Sequence, residues 1–464
     1  MTYTPISFEK DITFFWNLEK NIIHLQTLTK EDDMEVKLTN VGKITAANIK
    51  LNSLTVVAGV NDSGKSTIGK TLFLAIKALT NSKNKTTEDK TERINECASE
   101  LYSILGTARF QDKGLMEVLP ITPEELSKKL LSISDQHSRV DFLNIIIKAL
   151  DSEALLPRNR SRATDVLINI MAILQNDGKY NDLKNEIDSL IQSEFLGRLS
   201  QDNKDESQIA IADDYGKSLT FSIKGNKCFD IDIPSDGISM FDDITYIESP
   251  LYMHLLKTIT SVSTIGRGIL SPHIIDMAQK INYAGTITTT KDTLLSNINS
   301  IIDGKFIIDP TTLALSFQRG ESNFPIINIA SGMKSFGILQ MLLQGRIIDY
   351  DKMLVWDEPE NHLHPEWQLK FAEVLVQLAK NGITILVTSH SPYFIQAIRY
   401  FSAKYSNESN TYYYLAVSNE NGDATSLRDV TECVNDIFYL LSAPLDDVMN
   451  VDAARDKYSK IQSK

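Results

Sequence analysis

Gly59-Val60-Asn61-Asp62-Ser63-Gly64-Lys65-Ser66-Thr67 fits G-x-x-x-x-G-K-[ST] at every fixed position. Just upstream, Leu54-Thr55-Val56-Val57-Ala58 is a short apolar, β-branched run with the pattern of a buried strand. Just downstream, Ile68, Leu72, Ala75, Ile76 and Leu79 recur at helical spacing. Strand, glycine loop and helix together form an anion cradle. Gly59 and Gly64 let the backbone wrap an anion with its N–H groups pointing inward, and the helix adds the positive end of its dipole. In that context Asn61, Ser63, Gly64 and Thr67 line the phosphate path. Lys65 reaches the β- and γ-phosphates, and the Ser66 hydroxyl is placed to ligate Mg²⁺.

Three later stretches complete a nucleotide site. Met353-Leu354-Val355-Trp356-Asp357-Glu358-Pro359-Glu360 reads as a buried strand delivering carboxylates at its C-terminal edge, where α/β sheets place their ligands. Asp357 is expected to share Mg²⁺ with Ser66, and Glu358, pointing to the other side of the strand end, to polarise an attacking water as general base. Ile383-Thr384-Ile385-Leu386-Val387-Thr388-Ser389-His390 is a second such strand. His390 at its end is suited to bond the γ-phosphate or the water. Between them, Trp367, Phe371, Val374, Leu375 and Leu378 mark one face of a helix over 365–380, so the unit is β-α-β and its strands are parallel. Ala330-Ser331-Gly332-Met333-Lys334-Ser335 opens another helix. Ser331 and Gly332 at its N-terminus form a third anion-facing element.

The rest of the sequence narrows the class. The formal net charge of −13 argues against coating by nucleic acid through a general basic surface, while leaving room for a local groove. There is no apolar run long enough to span a bilayer, and the aromatic N-terminus is interrupted by Glu9, Lys10, Asp11, Glu19 and Lys20, which no signal peptide carries. Cys97, Cys228 and Cys433 lie far apart and fit reduced thiols in a cytoplasmic protein. His362 and His364, two apart in a loop with no cysteine nearby, make a poor zinc pair.

Taken in order, residues 1–35 form an N-terminal extension. Residues 36–80 carry two antiparallel strands, with a turn near Asn40 and Gly42, and then the glycine loop. Residues 81–205 are a mainly helical insertion, with Asn81–Arg93 expected as a solvated loop or helix start, and with no heptads sustained enough for a coiled-coil arm. Residues 206–464 resume with strands at 209–211, 219–223, 229–233 and 244–247. Helices follow over 251–303, then a hairpin from Lys305–Ile308 and Leu313–Gln318. A final hairpin around Asn421-Gly422 and two terminal helices, Cys433–Leu441 and Leu445–Lys460, close the chain.

The order of these motifs resembles the ABC-type ATPases, and most closely the branch of SMC, RecF and OLD-family ATPases. It does so through Asn61 to Thr67, Asp357-Glu358-Pro359-Glu360 with Leu363-His364-Pro365, and Thr388-Ser389-His390-Ser391-Pro392. The resemblance covers about residues 34–80 and 325–400. It implies an α/β head with a helical insertion, and ATP and Mg²⁺ as ligands. It also implies a homodimer, or a larger homo-oligomer, in which ATP lies between Lys65 of one copy and Ser331 and Gly332 of the other. The chain departs from the family in its signature, where Met333 stands for the second glycine. It also lacks an evident glutamine loop, for which Tyr246-Ile247-Glu248-Ser249 is the nearest equivalent. The long interval between Lys65 and Asp357 is unlike a transporter subunit, and the segment after His390 is too short for the TOPRIM nuclease of OLD proteins.

Stand-alone ATPases of this kind resemble components of bacterial anti-phage systems such as Septu, PARIS or retron-linked ones. The first expectation is therefore a cytoplasmic, non-membrane ATPase acting as sensor and scaffold for a separate effector protein, a nuclease or toxin. A RecF- or SMC-like ATPase that clamps DNA in repair or recombination is the alternative, and an ATP-gated structural module without useful turnover is a third.

Overall fold

The computed structural model describes residues 34–449 apart from 134, 152–154, 176–178, 200–205, 235–237, 239–240, 266–269, 288–292, 310–311 and 313. Residues 1–33, most of the N-terminal extension, and 450–464, which hold much of the second terminal helix, lie outside the described residues. The chain divides into two compact units, one of residues 1–77 with 188–464 and one of residues 78–187.

The first unit is built on a sheet that brings distant segments together. Its strands are β1 (Met34–Val41), β2 (Ile44–Leu51), β3 (Leu54–Ala58), β4 (Ser207–Ala212), β5 (Ser218–Lys224), β6 (Lys227–Asp232), β7 (Asp243–Ile247), β11 (Lys352–Asp357), β12 (Thr384–Ser389), β13 (Thr411–Ser418) and β14 (Thr425–Asp429). The order across the sheet is β6-β5-β4-β1-β2-β14-β13-β3-β12-β11-β7. One half, β6-β5-β4-β1-β2, is antiparallel. The other half is parallel, with β13, β3, β12, β11 and β7 paired in turn. The two composition patterns follow this division. β3 is buried at all five positions, as a parallel strand covered on both faces must be, whereas β4 and β5 alternate between buried and partly exposed residues.

A second, three-stranded sheet has the order β10-β9-β8, with β8 (Lys305–Ile308), β9 (Leu315–Arg319) and β10 (Ser322–Pro325). The expected hairpin is β8 and β9. The third strand was not legible because all four of its residues are exposed, so it carries no apolar alternation.

The helices, in chain order, are α1 (Lys65–Leu105), α2 (Ala108–Gln111), α3 (Lys113–Val118), α4 (Pro123–Ser132), α5 (Gln136–Ala149), α6 (Pro157–Gln175), α7 (Lys179–Glu194), α8 (Leu256–Ile265), α9 (Pro272–Ala284), α10 (Thr293–Ile302), α11 (Ser331–Gln344), α12 (Pro365–Lys380), α13 (Pro392–Lys404) and α14 (Asn435–Met449). α1 corrects the expectation of a solvated loop or helix start over Asn81–Arg93, since one helix runs through the whole stretch. That stretch is polar, yet from Lys70 to Leu105 the sequence contains neither glycine nor proline, so nothing interrupts the helix begun at the glycine loop.

In the first unit, alternate residues of the parallel strands (Leu54, Val56 and Ala58; Leu354 and Trp356; Ile385 and Val387) share one apolar core with α11, α12 and α13. Phe371 sits at its centre, with ring centroids 5.0 Å from Trp356 and 5.1 Å from Phe336, both edge-on. The opposite face receives α1. A Cβ at Gly69 would lie 2.6 Å from the Tyr246 ring and 2.9 Å from Val355, so the helix can approach the sheet this closely only at a glycine. The second unit has its own core, in which Leu101, Leu105, Leu126, Leu130, Leu143, Ile146, Leu167 and Ile170 meet. Its turns are set locally. Thr122 and Glu125 close a capping box on α4, and Asp135 caps α5 by accepting from the Ser138 N–H.

Phe371→Ala removes the ring that joins β11 to α11 and should lower the unfolding free energy of this unit by about 3–5 kcal/mol. Urea unfolding followed by tryptophan fluorescence measures it. A loss below about 1 kcal/mol would mean that the aromatic cluster repacks around the cavity.

Candidate active site

Each element of the site is delivered by a strand end. β3 runs into the glycine loop, and the loop is shaped by two residues with positive φ, Asp62 at 63° and Gly64 at 79°. At Gly64 a Cβ would lie 2.8 Å from Ile44 Cδ1, so the β1–β2 hairpin backs the loop directly. Lys43, in the hairpin turn, pairs with the Asp62 carboxylate. The Gly59 N–H donates to the Ser389 carbonyl at 3.3 Å, tying the loop to the end of β12. Inside the loop, the Ser63 hydroxyl and the Lys65 ammonium both donate to the Val60 carbonyl, each at 2.7 Å. Ser66 and Thr67 open α1 behind them, partly exposed.

Lys65 is only 4% exposed and lies 3.8 Å from Glu358. Burial pulls its ammonium below the usual lysine range, and the carboxylates of Glu358, Asp357 and Glu360 oppose that pull. Asp357, the last residue of β11, is buried and held from two sides. Thr388 of β12 donates its hydroxyl to one carboxylate oxygen, and Tyr246 of β7 donates to the other at 3.1 Å.

Glu358 follows with φ of 46°, and its N–H donates to the Thr388 carbonyl at 3.1 Å. This left-handed step turns its side chain out of the strand register and toward His390, whose Nδ1 lies 2.9 Å from Glu358 Oε1. Asn361 donates to the other carboxylate oxygen at 2.9 Å. Burial tends to raise the Glu358 pKa, but Asn361, His390 and Lys65 together bring it below the usual glutamate value, so it is ionised at neutral pH.

Glu360, two residues on, is the buried member. It accepts from the Ser389 hydroxyl at 2.6 Å and from the His390 N–H at 3.2 Å, while its second oxygen has no partner among the described residues. Burial holds its carboxyl above the usual range.

The structure therefore brings together Gly59, Asn61, Ser63, Gly64, Lys65, Ser66 and Thr67 with Asp357, Glu358 and His390. Ser331 and Gly332 come from a different element. They open α11, which no side chain caps, and a Cβ at Gly332 would lie 3.0 Å from Leu363. Among the described residues, neither makes a hydrogen bond to the glycine loop or to Asp357, Glu358 or His390 of the same chain. Glu248 directly follows β7, in the stretch expected to stand for a glutamine loop, and its carboxylate lies 3.5 Å from Lys70 of α1. Sequence reading missed Thr388 and Tyr246 as the residues that hold Asp357, and Glu360 as the buried brace under His390. Thr388 and Glu360 sit inside the quoted motifs, but pairing across strands from distant segments gives no local signal.

The donor set fits a magnesium ion. A serine hydroxyl and a carboxylate are hard oxygen ligands of the kind magnesium takes, with water and substrate phosphates completing its shell.

Residues 295–396 match the family described as "AAA domain, putative AbiEii toxin, Type IV TA system". Among characterised proteins, the Septu protein PtuA of Bacillus thuringiensis is 23% identical over 168 residues, 36% of this chain and 40% of that protein, so the match spans less than half of the relative's length. Among solved structures, the SMC head domain from Thermotoga maritima aligns with a TM-score of 0.37 at 9% identity, over 86% of this chain and 98% of the other. An SMC head with an extended coiled coil, bound to the C-terminal domain of ScpA and derived from Pyrococcus furiosus, aligns at 0.37 and 10%, over 86% and 96%. Scores this low leave the fold resting on the strand order itself. The chain is α/β by its own strand order, and parts of it are similar to that AAA-domain family and to the Septu protein PtuA.

Glu360→Gln tests the burial of the brace. Because the folded pKa of Glu360 is raised, protonation favours the folded state below the unfolded value, and that benefit is lost as pH rises through the folded value. Glutamine keeps an oxygen for Ser389 and the His390 N–H without a charge. The melting temperature of Glu360→Gln relative to wild type should therefore be higher at pH 8 than at pH 5. The reverse order would show that pairing, not burial, dominates at this carboxyl.

Proposed function

We propose that the chain binds ATP with Mg²⁺, hydrolyses it, and pairs with a second copy around the nucleotide. The observation that carries this reading is the convergence of Lys65, Glu358 and His390 at the ends of β3, β11 and β12, beside a loop shaped to hold an anion. Ser66 and Asp357 would hold Mg²⁺, which when bound supplies positive charge to the β- and γ-phosphates. Lys65 leaves the Val60 carbonyl to meet the phosphates, and the loop amides provide the remaining donors. With Lys65 engaged, Glu358 loses one of the cations that depress its pKa and becomes a better proton acceptor. Water then attacks the γ-phosphorus: its O–P bond forms as the bond to the β-phosphate oxygen breaks, its proton passes to Glu358, and ADP leaves. His390 and Asn361 hold the Glu358 carboxylate in line for that transfer.

Ser331 and Gly332 contribute in trans on this reading. A helix N-terminus at Ser331 that no side chain caps supports a role toward a partner's nucleotide. The similarity to the Septu protein PtuA supports placing the ATPase in phage defence as a sensor and scaffold for a separate effector protein, a nuclease or toxin.

Two substitutions test the chemistry. Glu358→Gln should lower kcat by about 100-fold or more while ATP binding is kept, and should accumulate an ATP-bound dimer visible by light scattering. Turnover at the wild-type rate would exclude Glu358 as the base. Ser331→Arg should abolish hydrolysis with nucleotide affinity unchanged, and normal turnover would refute the trans assignment. For the biological role, tagged Glu358→Gln purified from its host with ATP and Mg²⁺ should carry a stoichiometric companion protein whose activity changes with nucleotide. Duplex DNA without a companion would instead support the clamp reading.

A further inference from the structure

Behind the strand ends lies a charge relay that the chemistry above does not use. His273, on α9, has a side chain only 2% exposed. Its Nδ1 is 2.6 Å from Glu194 Oε1, and its Nε2 is 3.1 Å from Glu248 Oε2. The Glu194 side chain is fully enclosed, and its second oxygen accepts the His273 backbone N–H at 3.4 Å. An ionised carboxylate only accepts hydrogen bonds, so a ring between two ionised carboxylates donates from both nitrogens as an imidazolium. The energetics agree in direction. Burial lowers the His273 pKa, but bonding to Glu194 and Glu248 outweighs it, and His273 in turn brings Glu248 down to about 2.

Two links run from this relay to the nucleotide site. Glu248 also accepts from the Tyr252 hydroxyl at 2.9 Å, and its remaining oxygen is 3.5 Å from Lys70 on α1, the helix that carries Lys65 and Ser66. The His273 ring meets Tyr246 edge-on with centroids 4.8 Å apart, and Tyr246 is the residue whose hydroxyl holds Asp357. A buried charge this completely satisfied by named partners has a single orientation, and it passes that orientation to both links.

We propose that His273 is a positioning residue for the phosphate site: anchored by Glu194, it fixes Glu248 against Lys70 of α1 and Tyr246 under Asp357. The proposal rests on the ATPase reading. His273 touches no substrate and acts only through Glu248 and Tyr246.

The test uses the full chain with His273→Gln, Glu248→Gln and the double variant. Wild type is assayed first, and absence of Mg²⁺-dependent ATP hydrolysis there would overturn the ATPase reading itself. With wild type active, each single variant should lose about tenfold or more in kcat, the scale of residues that orient metal-site ligands from behind, with KM for ATP nearly unchanged. The double variant should lose no more than the worse single one, because both cut the same link. In a binding assay without turnover, the Mg²⁺ concentration that half-saturates binding of a fluorescent, non-hydrolysable ATP analogue should rise in His273→Gln. Melting temperatures separate this from unfolding. If His273→Gln does not fold, Glu248→Gln carries the test, since its side chain is about one third exposed. Wild-type kcat in either folded variant, additive losses, or an unchanged Mg²⁺ titration would overturn the proposal.

Discussion

A buried ammonium constrains this site more than any other group. Lys65 is almost fully enclosed, and a lone cation at that depth would shed its proton or destabilise the fold. It is tolerable because Glu358, Asp357 and Glu360 surround it with negative charge. Those carboxylates come from one strand end, β11, while the groups that hold them come from β12, β7 and the loop after β11. The arrangement of the parallel half of the sheet is thus an electrostatic requirement as well as a packing result. β12 between β3 and β11 is what allows Thr388 to reach Asp357 and Glu358, and His390 to reach Glu358 and Glu360.

The same constraint explains the unusual backbone at the end of β11. Glu358 adopts a positive φ that a glutamate avoids in the absence of compensation. Here its N–H bonds to the Thr388 carbonyl, and its carboxylate gains Asn361 and His390, interactions that an extended continuation of the strand would forgo. A similar logic applies on the far side of β11, where the enclosed Glu194 is matched by His273. In both places a buried charge is accommodated by a partner from a segment remote in sequence, so local order at the site depends on long-range assembly.

Much of this was legible in the sequence. The glycine loop, the strand before it and the helix after it are local objects, set by small residues, β-branched residues and a 3.6-residue period. Asp357, Glu358 and His390 stand at the ends of apolar runs, and an apolar run that stops on a charged residue is readable without a fold. The errors were physical in origin. The polar stretch Asn81–Arg93 reads as a solvated loop or a helix start, but polarity alone does not end a helix that lacks glycine and proline. β10 was unseen because an exposed strand has no hydrophobic alternation.

The sequence by itself determined which groups each segment offers: a glycine loop with Lys65, the carboxylates of Asp357 and Glu358, and the imidazole of His390. Only the tertiary structure decided which of these meet. It set the order β3-β12-β11-β7, which puts Thr388 and Tyr246 on the two oxygens of Asp357 and His273 behind Tyr246. The reason is that strand pairing and buried-charge compensation act between residues tens to hundreds of positions apart, and no periodicity along the chain records them.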